Sequence, residues 1–235
     1  MFASIAAAAA GQAGPPLLHA PDGFLSLPIA AVMWVVTLAT TAYAVRRTNE
    51  TFDERAIPLM GVTAAFIFAA QMFNFQVIGG TSGHLLGGVL AAVLLGPWAG
   101  TLVMVAVVAV QSLVFQDGGL VVMGANIFTM GILGTLGGYA VYRAVCSVLG
   151  GEQRARIPAA GIAAWISVVA AAAAMALELG LSGTTDLALA LTAMVSVHAL
   201  IGIGEALITM AALAFIGATR PDLFRLRDAR APAAG

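Results

Sequence analysis

The chain has 235 residues, 61% of them hydrophobic and only 9% charged, with a formal net charge of −1. A soluble domain carries about a quarter charged residues, so an ordinary water-facing surface is excluded, and a mean hydropathy of +1.00 leaves lipid as the solvent. The absence of a basic stripe excludes nucleic acid as a partner, and the single cysteine, Cys146, excludes an internal disulfide and a cysteine-based metal site.

In chain order, residues 1–18 read as an extension outside the membrane or as a cleavable segment. Residues 2–10 are apolar and small, but no basic region precedes them as it does in a secretory signal. Pro15-Pro16 forces an extended chain, and Pro21-Asp22-Gly23 is turn chemistry. A helical span needs about 20 apolar residues, and continuous apolar runs rather than alternating ones point to helices, which satisfy their own backbone in hydrocarbon. The expected spans are 27–45, 57–78, a short third at 84–95, 98–115 after Gly96-Pro97, 121–142, 157–179 and 187–217. The fold class is therefore all-α: a polytopic membrane protein with a bundle of seven transmembrane helices.

The cations orient this bundle. All ten basic residues are arginine, and they follow the first, fifth and seventh spans: Arg46, Arg47 and Arg55, then Arg143, Arg154 and Arg156, then Arg220, Arg225, Arg227 and Arg230. Positive residues collect on the cytoplasmic side, so the N-terminus is expected outside and the C-terminus cytoplasmic. The domain reading is a seven-helix substrate-binding region over 19–219 and a cytoplasmic Arg-rich tail over 220–235. The outer segments (1–26, 79–83, 116–120 and 180–186) contain His19, Asp22, Gln116, Asp117 and Asp186 but no lysine or arginine, with His84 at the mouth of the third helix. Such a rim suits a cation arriving from outside.

Three histidines are available. His84 closes the run Gly79-Gly80-Thr81-Ser82-Gly83-His84, where glycines let backbone approach a ligand, and it is expected to open the third helix with its imidazole toward the bundle entry. His19, on the outer arm, would complete a nitrogen pair, and nitrogen donors favour cobalt, nickel, copper or zinc over magnesium or calcium. Coordination needs neutral imidazole, so uptake should weaken as pH falls through about 6.5. His198 and Glu205 lie seven apart on one face of the last helix, as a second site or as a buried hydrogen bond locking that helix. Asn74, one turn before the glycine run, is a candidate support for His84; Asp22, Gly83, Gln116 and Asn126 complete the candidate pocket. Gly61, Ala65 and Ala69 form a small-residue face for helix packing or for a partner.

Several strings together resemble the CbiM/NikM family: 58–72, 79–88 with Gly83-His84-Leu85-Leu86-Gly87-Gly88, 95–100, Phe115-Gln116-Asp117-Gly118-Gly119, Gly124-Ala125-Asn126, and 198–202. The resemblance runs from about His19 to Gly217. It implies a substrate-binding component of an energy-coupling-factor importer for cobalt or nickel, in the inner or plasma membrane, with no enzyme activity of its own. It also implies a transmembrane coupling subunit, cytoplasmic ATPase subunits and often a small accessory membrane protein as partners, and no cofactor beyond the transported metal. Family members begin Met-His-x-Pro-Asp/Glu-Gly, and hold the ion with the terminal amine, the histidine's backbone nitrogen and side chain, and a second histidine. His19 and His84 match the two histidines, but Leu18 stands in place of the initiator Met, behind seventeen further residues. Only a cut between Leu17 and Leu18 would restore that amine.

Three other readings compete with this one. A vitamin-capturing component of the same transporter class calls for an aromatic-lined pocket, yet there are three Trp and three Tyr and none in the glycine-rich entry. An intramembrane metalloprotease needs a His-Glu-x-x-His pattern, which is missing. A plain membrane scaffold leaves the histidine–glycine entry without a purpose.

Overall fold

The computed structural model describes residues 19–51, 57–72, 75–77 and 81–224, with only the backbone for Thr51, Phe75–Val77 and Thr81–Gly83. The expectations for residues 1–18, for Asn74 and for most of the tail lie outside them. Helices follow in the order α1 (Leu27–Thr51), α2 (Ile57–Gln71), α3 (Gly88–Leu95), α4 (Pro97–Val114), α5 (Met123–Asn126), a π-helical stretch (Ile127–Gly137), α6 (Gly138–Val148), α7 (Glu152–Leu181) and α8 (Leu187–Thr219). Two three-residue strands, β1 (Phe75–Val77) and β2 (Thr81–Gly83), pair antiparallel between α2 and α3. Four of the helices, α1, α4, α7 and α8, are long and apolar enough to cross a membrane.

The short third helix is the pivot of the packing. All eight residues of α3 are buried. At about 1.5 Å per residue it rises only about 12 Å, so it sits inside the bundle rather than spanning it. Its neighbours come close because of glycine: a Cβ on Gly88 would stand 2.6 Å from the Gly134 carbonyl carbon, and one on Gly100 would stand 2.9 Å from the Ala92 nitrogen. Gly96, at φ 86, and Pro97, at the first turn of α4, make the break between α3 and α4 that the sequence predicts. The main core joins α3 to α4, α6 and α7 through residues such as Val89, Val93, Met104, Tyr142 and Ala163.

Three boundaries differ from expectation. The second helix stops at Gln71 rather than running to 78, because the chain turns into β1 and pairs with β2. The third helix begins at Gly88, so His84 does not open it but stands four residues ahead, in an irregular segment. The fifth span starts at Met123 and is π-helical over Ile127–Gly137. There Gly131, Gly134 and Gly137 remove side-chain crowding, and the Thr135 hydroxyl donates to the Gly131 carbonyl at 2.6 Å. Pro158 lies inside α7, in its second turn, where it gives up the backbone bond to the Arg154 carbonyl.

Candidate metal site

Where α4 ends and α5 begins, the first described residues fold back as an arm over residues 117–126. Asp22 explains why. Its carboxylate accepts the backbone N–H groups of Leu120, Val121 and Val122 at 3.1, 2.8 and 3.2 Å, which are the donors left open ahead of α5. Capping of this kind contributes about 1 kcal/mol. Asn126 reads the arm's backbone from the other side: its Oδ1 accepts from Ala20 N–H at 3.2 Å and its Nδ2 donates to the Ala20 carbonyl at 3.1 Å. The Gly119 N–H donates to the same carbonyl at 3.0 Å. Further along, the Phe24 carbonyl accepts the Thr184 hydroxyl from the turn between α7 and α8.

The Gln116–Gly119 loop, which in sequence looks like punctuation, is the bed on which this arm lies. A Cβ on Gly118 would meet the His19 Cβ at 2.7 Å, and Gly118 has φ 95. A Cβ on Gly119 would run into Asp22. Both positions need glycine because the arm occupies the space. Asp117 is the functional residue least visible in the sequence. Its carbonyl accepts the His19 Nδ1–H at 3.1 Å, its Oδ1 accepts the His19 backbone N–H at 3.4 Å, and its Oδ2 stands 3.6 Å from Nδ1. In sequence it stood only among the polar rim residues and in a family string; spacing could not pair it with His19.

His84 arrives from the opposite wall. The segment His84–Gly87 is irregular, with Gly87 left-handed at φ 78, and its backbone is held from two helices. Gln71 of α2 donates Nε2–H to the Leu86 carbonyl at 2.7 Å, and Gln111 of α4 donates to Gln71 Oε1 at 2.9 Å. Glu205 of α8, 1% exposed, accepts the Leu86 N–H at 2.9 Å and the Gly87 N–H at 2.8 Å. Leaving either buried donor unmade would cost about 1–3 kcal/mol, so the segment has little freedom. The His84 Nδ1 donates to the Leu85 carbonyl at 2.8 Å.

These two walls bring the imidazoles together. The His19 and His84 rings have centroids 5.0 Å apart and stand nearly perpendicular, at 85°, and both side chains are buried. In each ring Nδ1 faces a carbonyl oxygen, which can only accept, so Nδ1 carries the proton and Nε2 presents its lone pair. The His19 Nε2 is buried with no hydrogen-bond partner. Burial pushes the His19 imidazole below its ordinary 6.5, against the opposing pull of the Asp117 carboxylate and carbonyl, so the ring is held neutral as a ligand must be. With a metal–nitrogen bond of about 2.1 Å, an ion shared by both Nε2 atoms would have ring centroids roughly 4.5 Å apart at a right angle and roughly 6.4 Å apart when opposed. The observed 5.0 Å lies inside that interval.

The other candidates fall elsewhere. No group of three or more His, Cys, Asp or Glu side chains is assembled among the described residues; the two imidazoles come together as a pair. Asp22 and Asn126 hold the arm rather than line a pocket. Gln116 is exposed in a left-handed turn at φ 55, away from the rings. Gly83 ends β2, immediately before His84. His198 donates Nδ1–H to the Met194 carbonyl within its own helix and does not pair with Glu205. Gly61, Ala65 and Ala69 face outward, and a Cβ at Gly61 would meet nothing within 4 Å, so this stripe does not pack internally.

Comparison with known proteins places the chain in context. The model of the CbiM family, described as the cobalt uptake substrate-specific transmembrane region, matches residues 19–223. The chain is 41% identical over 90% of its length to a putative fused nickel transport protein NikMN of Archaeoglobus fulgidus, covering 70% of it. It is 34% identical over 88% of its length to the cobalt transport protein CbiM of Sorangium cellulosum, covering 94%. A crystal structure of a transition metal transporter superposes with a TM-score of 0.79 at 31% identity, covering 92% of this chain and 100% of that one.

Proposed function

Since the chain belongs to the CbiM family, the substrate-specific transmembrane region of cobalt uptake, we propose that it captures a divalent cobalt or nickel ion between the imidazoles of His19 and His84. That it is a substrate-specific component of cobalt or nickel uptake, a transport protein rather than an enzyme, follows from the family and from relatives named for nickel and cobalt transport. The observation that carries the finer reading is the perpendicular approach of two buried rings at 5.0 Å, each with Nδ1 donating to a carbonyl. Imidazole donors suit cobalt and nickel and disfavour magnesium and calcium.

On this reading the arm acts as ligand and lid. The ion enters at the outer face, where the neighbouring segments carry no fixed cation, and the arm closes by laying residues 19–24 on the Asp117–Asn126 bed. The chain crosses the cell membrane seven times, with the N-terminus outside and the arginine-rich tail inside. A transmembrane coupling subunit and cytoplasmic ATPases, with or without a small accessory membrane protein, would drive release inward. This component hydrolyses nothing.

The experiment is metal accumulation in cells at trace cobalt or nickel. His84→Ala should abolish accumulation while the protein still reaches the membrane in normal amount. Accumulation equal to the wild type would remove His84 from the mechanism.

A further inference from the structure

We propose that Glu205 is a positioning residue through which the last helix sets the separation of the two imidazoles. The inference rests on the capture reading and deepens it. Glu205 is fully buried in the middle of α8 and has no ion-pair partner among the described residues. A carboxylate in such a place is expensive and is retained for a purpose. Both of its oxygens are committed to the backbone of the segment that carries His84: Oε2 to Leu86 and Oε1 to Gly87. This is a fork of two hydrogen bonds on consecutive amides, and it fixes both the position and the direction of the segment. Gln71 holds the Leu86 carbonyl from the far side, so Leu86 is pinned between α2 and α8. A close-fitting void of about 10 Å³, lined by Gln71, Leu85, Gly87 and Glu205 among others, leaves these groups no room to re-pair.

The consequence is mechanical. Helix α8 packs chiefly along α7, and its inner end runs to Thr219, beside the arginines of the tail. Among the described residues, His19 is bonded to Asp117 of the bed, and the arm reaches the α7–α8 turn at Phe24, five residues away. A displacement of α8 along or about its axis therefore moves the His84 segment and leaves His19 where Asp117 and Asn126 hold it. The two imidazoles separate without either ligand leaving its own wall. Release of the ion is thereby linked to a helix whose other end reaches the opposite face.

The test is cobalt(II) or nickel(II) binding to the full chain in detergent, with the visible d–d spectrum of the cobalt form recorded beside the affinity. Glu205→Gln keeps the shape but turns one acceptor into a donor facing an N–H. It should weaken affinity per folded molecule by about 10–100-fold and shift the cobalt bands, and Glu205→Ala should weaken it more. Wild-type affinity and spectrum in Glu205→Gln, with binding lost in His84→Ala, would overturn the positioning role and leave capture by His84 standing. Unchanged binding in His84→Ala would instead overturn the capture reading and this inference with it. A loss in Glu205→Gln that merely follows the folded fraction, with an unaltered spectrum, also counts against positioning. Should neither Glu205 variant fold, hydrogen exchange in the wild-type chain decides. The Leu86 and Gly87 amides should be as protected as the interior of α3, and rapid exchange at both would overturn the clamp.

Discussion

The two histidines sit on segments that are held in different ways. The His84 segment is locked from within: Gln71 and Glu205, both buried, grip its backbone from two helices, and Leu85 and Leu86 are buried beside them. The His19 arm is held from outside. It lies on a loop through Asp117, Asn126 and a glycine pair, and its remaining bonds, from Asp22 and Phe24, are at the exposed edge. Comparing them teaches which part moves. Peeling off the arm exposes its polar partners to water, which replaces the lost bonds; pulling out the His84 segment would strand donors in an apolar interior. The arm is the half that can detach from the bundle, and the His84 segment is the half that moves only with the helices gripping it.

That contrast can be broken or sharpened by substitution. The largest effect is expected at the bed. Gly118→Ala must place a Cβ 2.7 Å from the His19 Cβ at a backbone φ of 95. The backbone strain alone is about 1–3 kcal/mol, and the arm must also lift, so cobalt affinity measured by titration should fall by roughly a hundredfold. The fold should survive, because the close contacts are with the arm and with the Asn126 amide that holds it. Equal binding would mean that the arm does not need this seat. A smaller loss is expected for Asn126→Ala, which removes two bonds to the Ala20 backbone worth about 1 kcal/mol each. Affinity should drop about tenfold, whereas Gln116→Ala, in the same loop but exposed, should change it less than about twofold. Similar losses for both variants would erase the distinction between bed and turn.

The smallest effect is that of mild acid on the metal-free arm. The folded-state pKa of His19 lies below its ordinary 6.5, so docking of the neutral ring is fully favourable above that ordinary value and is lost as pH falls through the lower folded value. Protection of the Ala20 amide, corrected for intrinsic exchange, should be nearly flat from pH 7.5 to 6.5. It should then decline toward tenfold per unit once His19 protonates. Protection that rises on acidification would reverse the sign and point to a charged, ion-paired His19.

Much of this architecture was legible in the residues. Apolar runs and Gly96-Pro97 located the helices, with α2 ending seven residues early and α3 beginning four residues late, and the sequence placed His84 at the end of a glycine-rich run. What stayed hidden depended on tertiary pairing. The strand at Phe75–Val77 is apolar like the helix before it, so only its partner, Thr81–Gly83, could end that helix early. The π-helical stretch carries glycines and threonines that suit an ordinary membrane helix equally well. Asp117 and Gly118 read as a turn because nothing in their spacing announces that a segment almost a hundred residues earlier lies on them. Glu205 looked like an intramembrane acid in search of a partner, and its partners are backbone amides, which have no signature in sequence.

The central claim is that two imidazoles share one ion. X-ray absorption at the metal edge of the full chain loaded with one equivalent of cobalt or nickel tests it directly. Outer-shell scattering characteristic of two imidazole rings is the expected result, and His19→Ala and His84→Ala alike should show at most one ring, at the higher concentrations needed to force metal onto them. A spectrum with no imidazole contribution, or one left unchanged by either substitution, would contradict the account.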